Sequence, residues 1–231
     1  MKNITLDRAD VVLHGSLWEP PTLLLLHAGR ENRRVWGPVM ASEAMSRYRC
    51  LAFDLRGHGE SVGEVEAFAA HVGDVRAMIG HCAGSVIIVG ASIGGLAAIA
   101  ASADVETSQK VEGLVLLDVV PDPPPSPTRS WLDRRGLLEL DASLIEEILQ
   151  QGPARLRHVS TLTCPVALIR GTLGSPVTDE DEQRFRSACP QLETFNVEAG
   201  HLIAHDAPQA LAVVIADIVE AWRLRNAVGK V

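Results

Sequence analysis

Short apolar runs alternate along the chain with longer segments of helical periodicity. The runs are rich in Leu, Val and Ile and too short for helices, which predicts buried strands at Thr22–His27, Cys50–Asp54, Ser85–Gly90, Val111–Asp118, Val166–Arg170 and Glu193–Val197. Apolar positions at helical spacing predict helices at Pro38–Ser46, Val65–Ile79, Ile93–Ser102, Asp179–Ala188 and Ala207–Leu224. Because strand and helix alternate, we expect an α/β fold with a mostly parallel sheet of roughly eight strands, flanked by helices.

The N-terminal segment Ile4–Trp18 has a different pattern. It alternates apolar and polar residues and has a turn signal around Arg8–Asp10. Alternation is typical of a strand with one face exposed, so we predict an antiparallel hairpin at the edge of the sheet.

The interval between Asp118 and Pro165 interrupts the strand–helix alternation. It contains no strand signal, and Pro121–Pro127 holds five prolines in seven residues. We expect one structural domain, with an α/β core of residues 1–118 and 165–231 and a short insertion at 119–164. The insertion would form a small helical lid over the carboxyl ends of the strands, where open α/β sheets bind ligands, or else a plain surface crossover. Its predicted helices are Ser130–Leu138, Ala142–Gln151 and Ala154–Val159.

Composition and charge exclude several classes of protein. Of the 231 residues, 47% are hydrophobic and 22% are charged, which is the balance of an ordinary globular protein. The net charge of −8 provides no basic field for nucleic acid. The uncharged stretch Ser85–Ala103 is interrupted by glycines and a turn signal, so it reads as strand, turn and helix rather than as a membrane span.

The N-terminal sequence and the cysteines indicate a cytoplasmic protein. The first ten residues, MKNITLDRAD, mix charged and apolar positions and lack the continuous apolar run of a signal peptide. The four cysteines show neither CxxC pairs nor metal-ligand spacing. We therefore expect reduced cysteines and no metal.

The segment Gly90–Gly94 reads G-x-S-x-G between a buried strand and a helix of small residues. In this context the motif predicts a nucleophile elbow, in which Ser92 lies on a tight, strained turn and the helix N-terminus stabilises developing negative charge. The alternative is a glycine-rich turn that only packs the helix on the strand.

A serine nucleophile needs a histidine to accept its proton and an acid to orient that histidine. His201 follows the last predicted strand and precedes the final helix, which places it on a loop at the carboxyl edge of the sheet. His205, four residues later, is the alternative base, and either histidine could instead lie on the surface.

Four stretches together resemble enzymes of the α/β-hydrolase fold, in the branch that contains bacterial esterases, lactonases and cofactor-free haloperoxidase-like proteins. They are Leu24–Gly29, Phe53–Ser61, the elbow at Ser92 and Ala199–His201. The resemblance covers nearly the whole chain. It implies that the backbone amides of Gly29 and Ile93 form an oxyanion hole and that no metal or organic cofactor takes part.

Some positions in these stretches are expected to have structural roles or depart from the family pattern. Position 28 is Ala where the family usually has Gly, so the backbone there must accommodate a Cβ. Asp54, Arg56 and Ser61 resemble a motif that pins a loop by internal hydrogen bonds. His58, in the same stretch, is not expected to be the base.

The acid is the least determined member of the predicted triad. The family often places it after the seventh strand, but Arg170–Val177 contains no carboxylate. Some relatives carry it at the end of the sixth strand, and Asp118 occupies that position here. The order Ser92, Asp118, His201 also agrees with that of the fold. Asp179 and Asp181 are alternatives that we expect to begin the following helix.

The run Arg30–Trp36 follows the predicted oxyanion loop directly. Arg30 could hold a substrate carboxylate or phosphate near the serine, although charged residues after a strand are more often solvated. Trp36 is expected at the rim of the pocket or in the core.

These residues predict a serine hydrolase that cleaves a small ester, thioester or lactone through an acyl-enzyme intermediate. The acyl substrate could be a small molecule or carrier-bound, and the chain a monomer or homodimer, with no nucleic acid or membrane partner. Two alternatives stay open: the same residues could catalyse C–C hydrolysis, elimination or cyclisation, or the fold could serve a non-catalytic ligand-binding protein.

Overall fold

The computed structural model describes residues 2–7, 12–17, 23–65, 67–138 and 142–228. The strands are β1 Lys2–Asp7, β2 Val12–Leu17, β3 Leu23–Leu26, β4 Cys50–Phe53, β5 Val86–Ala91, β6 Val111–Leu117, β7 Val166–Gly171 and β8 Leu192–Val197. The helices are α1 Gly37–Met40, α2 Phe68–His81, α3 Ile93–Ala101, α4 Val105–Ser108, α5 Pro125–Asp133, α6 Ala142–Gln150, α7 Gly152–Val159, α8 Asp179–Ala188, α9 Ile203–Asp206 and α10 Pro208–Val228, with short 3-10 helices at Arg33–Trp36 and Glu43–Met45.

All eight strands form one sheet in the order β1-β2-β4-β3-β5-β6-β7-β8. The six strands from β3 to β8 are parallel, and β1 and β2 extend the β4 edge as an antiparallel pair. The predicted α/β fold and its mostly parallel sheet are confirmed. The edge hairpin is antiparallel as predicted, while its turn at Arg8–Asp10 and Trp18 lie outside the described residues.

The sheet separates two hydrophobic layers. The four leucines of β3 are fully buried and alternate between them: Leu24 and Leu26 pack on one face, and Leu23 and Leu25 on the other. A central strand covered on both faces has no polar side, which explains its uninterrupted apolar sequence. Trp36 is also fully buried, in the layer beneath α10, so it belongs to the core rather than to the rim of a pocket.

The helix bounds differ from the prediction where backbone conformation or capping intervenes. The segment predicted as one helix at Pro38–Ser46 is broken, because Ser42 adopts an extended conformation between α1 and the following 3-10 helix. In contrast, α8 begins at Asp179 as predicted, and Thr178 caps it through a reciprocal pair of hydrogen bonds with Asp181.

The insertion contains the three predicted helices as α5, α6 and α7. Helix α5 starts five residues earlier than predicted, at Pro125, because proline is tolerated in the first turn of a helix, where its missing N–H has no intrahelical partner. The insertion also contacts the core: Glu147 on α6 accepts a hydrogen bond of 2.7 Å from the Phe68 amide at the start of α2.

No helix in the described part of the chain is both long and apolar enough to cross a membrane.

Two histidines in the core predict a loss of stability in acid. Burial lowers the pKa of His27 and of His71 to about 4, so both stay neutral in the folded protein while the unfolded chain binds their protons near pH 6.5. We expect their contribution to the free energy of unfolding to be constant above pH ~6.5. It should fall by up to roughly 3 kcal/mol per histidine as the pH approaches 4.

Urea unfolding between about pH 7.5 and pH 5 measures this loss. The variant His71→Leu should have a shallower dependence on pH than the native protein. Identical slopes for native protein and His71→Leu would contradict the assignment.

Candidate active site

Ser92 lies on a strained turn between β5 and α3, with φ 47° and ψ −118°. The turn brings backbones so close together that its glycines cannot be replaced without movement. A Cβ on Gly90 would lie 2.6 Å from the Gly95 Cα, and one on Gly94 would lie 2.7 Å from the carbonyl oxygen of His27. The predicted elbow geometry is therefore present, and a left-handed φ at a non-glycine residue is a form of strain that clusters at functional sites.

Asp118 follows β6 and is fully buried, with φ 50°. Its Oδ2 lies 2.8 Å from His201 Nδ1, and its Oδ1 accepts hydrogen bonds from the Gly171 amide at 3.0 Å and from Ser175 Oγ at 2.6 Å. A carboxylate only accepts, so neutral His201 carries its proton on Nδ1 and leaves Nε2 as a base. Among the described residues, Ser92 makes no direct hydrogen bond to His201, and such bonds often form only when substrate binds.

The alternative acids are engaged elsewhere. Asp179 is 97% exposed and pairs with Arg170 on the surface, while Asp181 is buried in the cap of α8, where it also contacts Arg184. Neither hydrogen bonds to His201. The structure thus brings Asp118, and not the later aspartates, to the histidine.

The alternative base also points elsewhere. His205 is 73% exposed and pairs with Asp206 at 3.1 Å, a contact that raises the pKa of this histidine. Asp206 in turn accepts a hydrogen bond of 3.0 Å from the Gly200 amide, which helps hold the loop that carries His201.

Two contacts of the predicted triad could not be predicted from the sequence. Ser175 lies in the turn after β7 that lacks a carboxylate, and it supplies a hydroxyl to Asp118 instead. Trp131 on α5 packs edge-on against the His201 ring, with centroids 4.8 Å apart, and its Nε1 donates to the Gly174 carbonyl at 3.3 Å. No local sequence pattern signals either contact, since each joins segments that are far apart in the chain.

The predicted oxyanion residues are neighbours across the elbow: a Cβ on Gly29 would lie 3.9 Å from Ile93 Cγ2. Ala28 does not have a positive φ, so its Cβ is accommodated without strain. Its amide donates to Glu31 Oε2 at 3.1 Å, and the left-handed position of the loop is Arg30, with φ 64°.

The Asp54 segment makes internal contacts, as expected for a loop-pinning motif. The buried Asp54 carboxylate accepts from the Arg33 amide and guanidinium and from the Glu60 amide, and Ser61 Oγ donates to the Asp54 carbonyl at 2.8 Å. Arg56 forms a bidentate ion pair with buried Asp74 at 2.6 and 2.7 Å.

A cavity of about 630 Å³ contains all three members of the predicted triad and is also lined by Gly29 and Ile93. The insertion supplies much of its apolar wall, through Trp131, Leu132, Leu144, Ile145, Ile148 and Leu149. Arg30 lies exposed at the mouth, and its side chain has no ion-pair partner among the described residues. Within those residues there is also no group of three or more side chains suited to hold a metal ion.

Comparison with known proteins identifies the family of the chain. The model of the alpha/beta hydrolase family matches residues 23–214, from β3 into α10. The chain belongs to the alpha/beta hydrolase family. Membership confirms the prediction of an enzyme of the hydrolase class. No curated protein sequence matches the chain.

Solved structures of alpha/beta hydrolases share the fold at low sequence identity. An esterase from Mycobacterium tuberculosis has a TM-score of 0.73 at 22% identity, over 95% of this chain and 91% of its own. An N-formylmaleamic acid deformylase from Pseudomonas putida has a TM-score of 0.72 at 20% identity, over 93% and 100%. A haloalkane dehalogenase from Bradyrhizobium elkanii has a TM-score of 0.77 at 16% identity, over 98% and 99%. Their different activities mean that the shared fold does not identify the reaction.

Proposed function

We propose that this alpha/beta hydrolase cleaves a carboxylic ester, thioester or lactone through an acyl-enzyme formed on Ser92. The observation that carries the proposal is the hydrogen bond of 2.8 Å between buried Asp118 and His201, in the same cavity as the strained Ser92. An oriented base beside an activated serine is the arrangement that acyl transfer requires.

Acylation follows from the positions of these groups. His201 Nε2 takes the proton of the Ser92 hydroxyl as Oγ attacks the substrate carbonyl carbon. The Gly29 and Ile93 amides donate to the oxyanion of the tetrahedral intermediate, and the partial positive charge at the N-terminus of α3 favours the same charge. When the intermediate collapses, imidazolium His201 gives its proton to the leaving alcohol or thiol, while Asp118 stabilises the imidazolium.

Deacylation repeats these steps with water as the nucleophile. His201 removes a proton from water, the hydroxide adds to the acyl carbonyl, and Ser92 departs as its oxygen regains the proton. The products are a carboxylic acid and the free enzyme, so no cofactor is consumed.

The lining of the cavity supports a modest apolar substrate. Its volume of about 630 Å³ and the aliphatic and indole side chains from α5 and α6 suit an acyl or alcohol part of small to medium size, free or delivered on a carrier. Arg30 at the mouth is proposed to contact a carboxylate or phosphate on that substrate. A cytoplasmic location is part of the proposal and is supported by the four free cysteines.

The turn after β7 has no carboxylate, which is the one sequence feature that favours the non-catalytic alternative. The missing carboxylate after β7 does not leave His201 without an acid, because Asp118 approaches it from β6. Hydrolysis of C–C bonds, elimination and cyclisation remain outcomes of the test below.

Labelling of the native protein with a fluorophosphonate probe, followed by peptide mass mapping, tests the proposal. We expect a single label on Ser92 and turnover of short p-nitrophenyl esters. A native protein that remains unlabelled would contradict an activated serine. A label on Ser92 without turnover of any ester, thioester or lactone would favour the other reactions of this fold.

Substitution of Asp118 by asparagine should lower kcat by about 10⁴-fold. The amide keeps the shape of the carboxylate but favours the wrong histidine tautomer and cannot stabilise the imidazolium. Asp179→Asn is the matched control, since Asp179 is exposed and pairs only on the surface. Steady-state ester hydrolysis by both variants measures the effect, and equal losses in the two would argue against Asp118 as the acid.

A further inference from the structure

Two histidines join the loop of residues 27–31, here called the oxyanion loop, to the loop of residues 54–61. Each histidine belongs to one loop and accepts a hydrogen bond from a backbone amide of the other. His27 in the oxyanion loop accepts a hydrogen bond of 2.9 Å from the Leu55 amide, and His58 in the second loop accepts one of 3.0 Å from the Arg30 amide. The two rings lie side by side, with centroids 5.1 Å apart.

The second ring nitrogen of each histidine defines its tautomer. His27 Nδ1 lies 2.7 Å from the Ala28 carbonyl oxygen, and His58 Nδ1 lies 2.8 Å from the Arg56 carbonyl oxygen. A carbonyl oxygen only accepts, so each Nδ1 carries the proton and each Nε2 is the acceptor. Both ends of the His58 ring are therefore engaged with backbone, which holds the ring in one orientation.

The backbone amide that donates to His58 belongs to a residue with a strained conformation. Arg30 has φ 64°, in the left-handed region that a residue with a Cβ rarely adopts. Such a conformation persists only where surrounding contacts hold it. The hydrogen bond to His58 is a contact of this kind, and the peptide it holds directly follows Gly29.

We propose that His58 is a positioning residue for catalysis: by holding the Arg30 amide, it orients the preceding Gly29 N–H toward the developing oxyanion. The inference rests on the proposed acyl transfer and adds to it a group that does not touch the reacting atoms. A donor must lie within a few tenths of an ångström of the position that stabilises the oxyanion. If Arg30 left the left-handed conformation, the Gly29 N–H would no longer point at the oxyanion.

The position of His58 also allows a direct contact with substrate, which the test must separate from positioning. His58 lines a groove of about 400 Å³ that meets the main cavity at Gly29, Arg30 and Ile93. A contact with one part of a substrate would change KM and depend on which ester is used. An effect through the oxyanion donor lowers kcat by a similar factor for every ester, because every tetrahedral intermediate carries the same oxyanion.

The experiment compares His58→Gln with His58→Asn. The glutamine side-chain oxygen reaches about as far as imidazole Nε2 and can accept from the Arg30 amide, whereas the shorter asparagine reaches about as far as Nδ1. We expect kcat of His58→Asn to fall at least tenfold, with KM within about threefold of native. His58→Gln should retain most of the activity.

Three readouts accompany the comparison. They are kcat and KM for acetate, butyrate and hexanoate p-nitrophenyl esters, the rate of fluorophosphonate labelling at Ser92, and amide hydrogen exchange of the peptide that contains Arg30. For His58→Asn we expect equal kcat losses on all three esters, slower labelling and faster exchange, with recovery of all three in His58→Gln.

Equal activity of His58→Asn and native protein would overturn the inference, and so would a loss confined to one ester or seen only in KM. An equal loss of kcat in His58→Gln and His58→Asn would also overturn it, because a side chain that accepts the hydrogen bond from the Arg30 amide would then give no advantage. If the native protein neither labels nor hydrolyses any ester, the proposed function fails instead. Exchange at Arg30 still reports in that case whether His58 holds the loop.

Discussion

Replacement of Ser92 with alanine is expected to remove ester hydrolysis, with kcat falling by about a millionfold, and to prevent labelling by fluorophosphonate. The reason is chemical: alanine has no oxygen to form the acyl-enzyme. A small residual rate over water is expected, because the Gly29 and Ile93 amides can still stabilise an oxyanion formed by direct attack of water.

The strained backbone of Ser92 provides a second measurement on the same residue. Its φ of 47° disfavours any residue with a Cβ, whereas glycine adopts positive φ readily. Ser92→Gly should therefore be as inactive as Ser92→Ala and more stable than it in urea unfolding, by about 1 kcal/mol. A Ser92→Ala protein that is folded and still turns over ester at a native rate would contradict the assignment of the nucleophile.

Replacement of His201 with alanine should lower kcat to a similar degree, by about a millionfold, because Ser92 then has no base to take its proton and the leaving group has no acid. His205→Ala is the matched control. It removes an exposed imidazole four residues away that pairs with Asp206 and does not line the cavity. We expect at most a few-fold loss there, since Asp206 still holds the Gly200 amide.

The double variant Ser92→Ala/His201→Ala distinguishes concerted action from two separate effects. Groups that act as one unit are strongly non-additive, so the double variant should be no slower than either single variant. Initial rates with a p-nitrophenyl ester, after circular dichroism has shown each variant folded, measure this. A larger loss in His205→Ala than in His201→Ala would reverse the assignment of the base.

Several features of the molecule could be predicted from local sequence because they have local causes. The run of leucines in β3 predicted a strand buried on both faces, and the acidic residues Asp179 and Asp181 predicted the start of α8. The elbow was predictable for the same reason. Gly90, Ser92 and Gly94 lie within five residues, and the close approach of β5 to α3 leaves no room for a Cβ at either glycine.

Other features depend on segments that meet only in the folded chain. From the sequence, Asp118, Asp179 and Asp181 were all eligible acids, and only the parallel pairing of β6 with β7 brings the end of β6 close to the turn after β7 and to His201. The same pairing places Ser175 on the second oxygen of Asp118. The broken helix at Ser42 was likewise missed, since helical spacing continues through it.

The sequence alone therefore determined the fold class and the order of the strands along the chain, and it predicted Ser92 as the nucleophile and His201 as the base. These properties follow from apolar periodicity and short motifs, and each is carried by neighbouring residues. Only the tertiary structure decided which acid meets the histidine, that Trp131 covers it, and that His58 holds the backbone beside Gly29. Each of these contacts joins residues at least 28 positions apart in the sequence. Side-chain contacts over such a distance produce no periodic pattern from which they could be predicted.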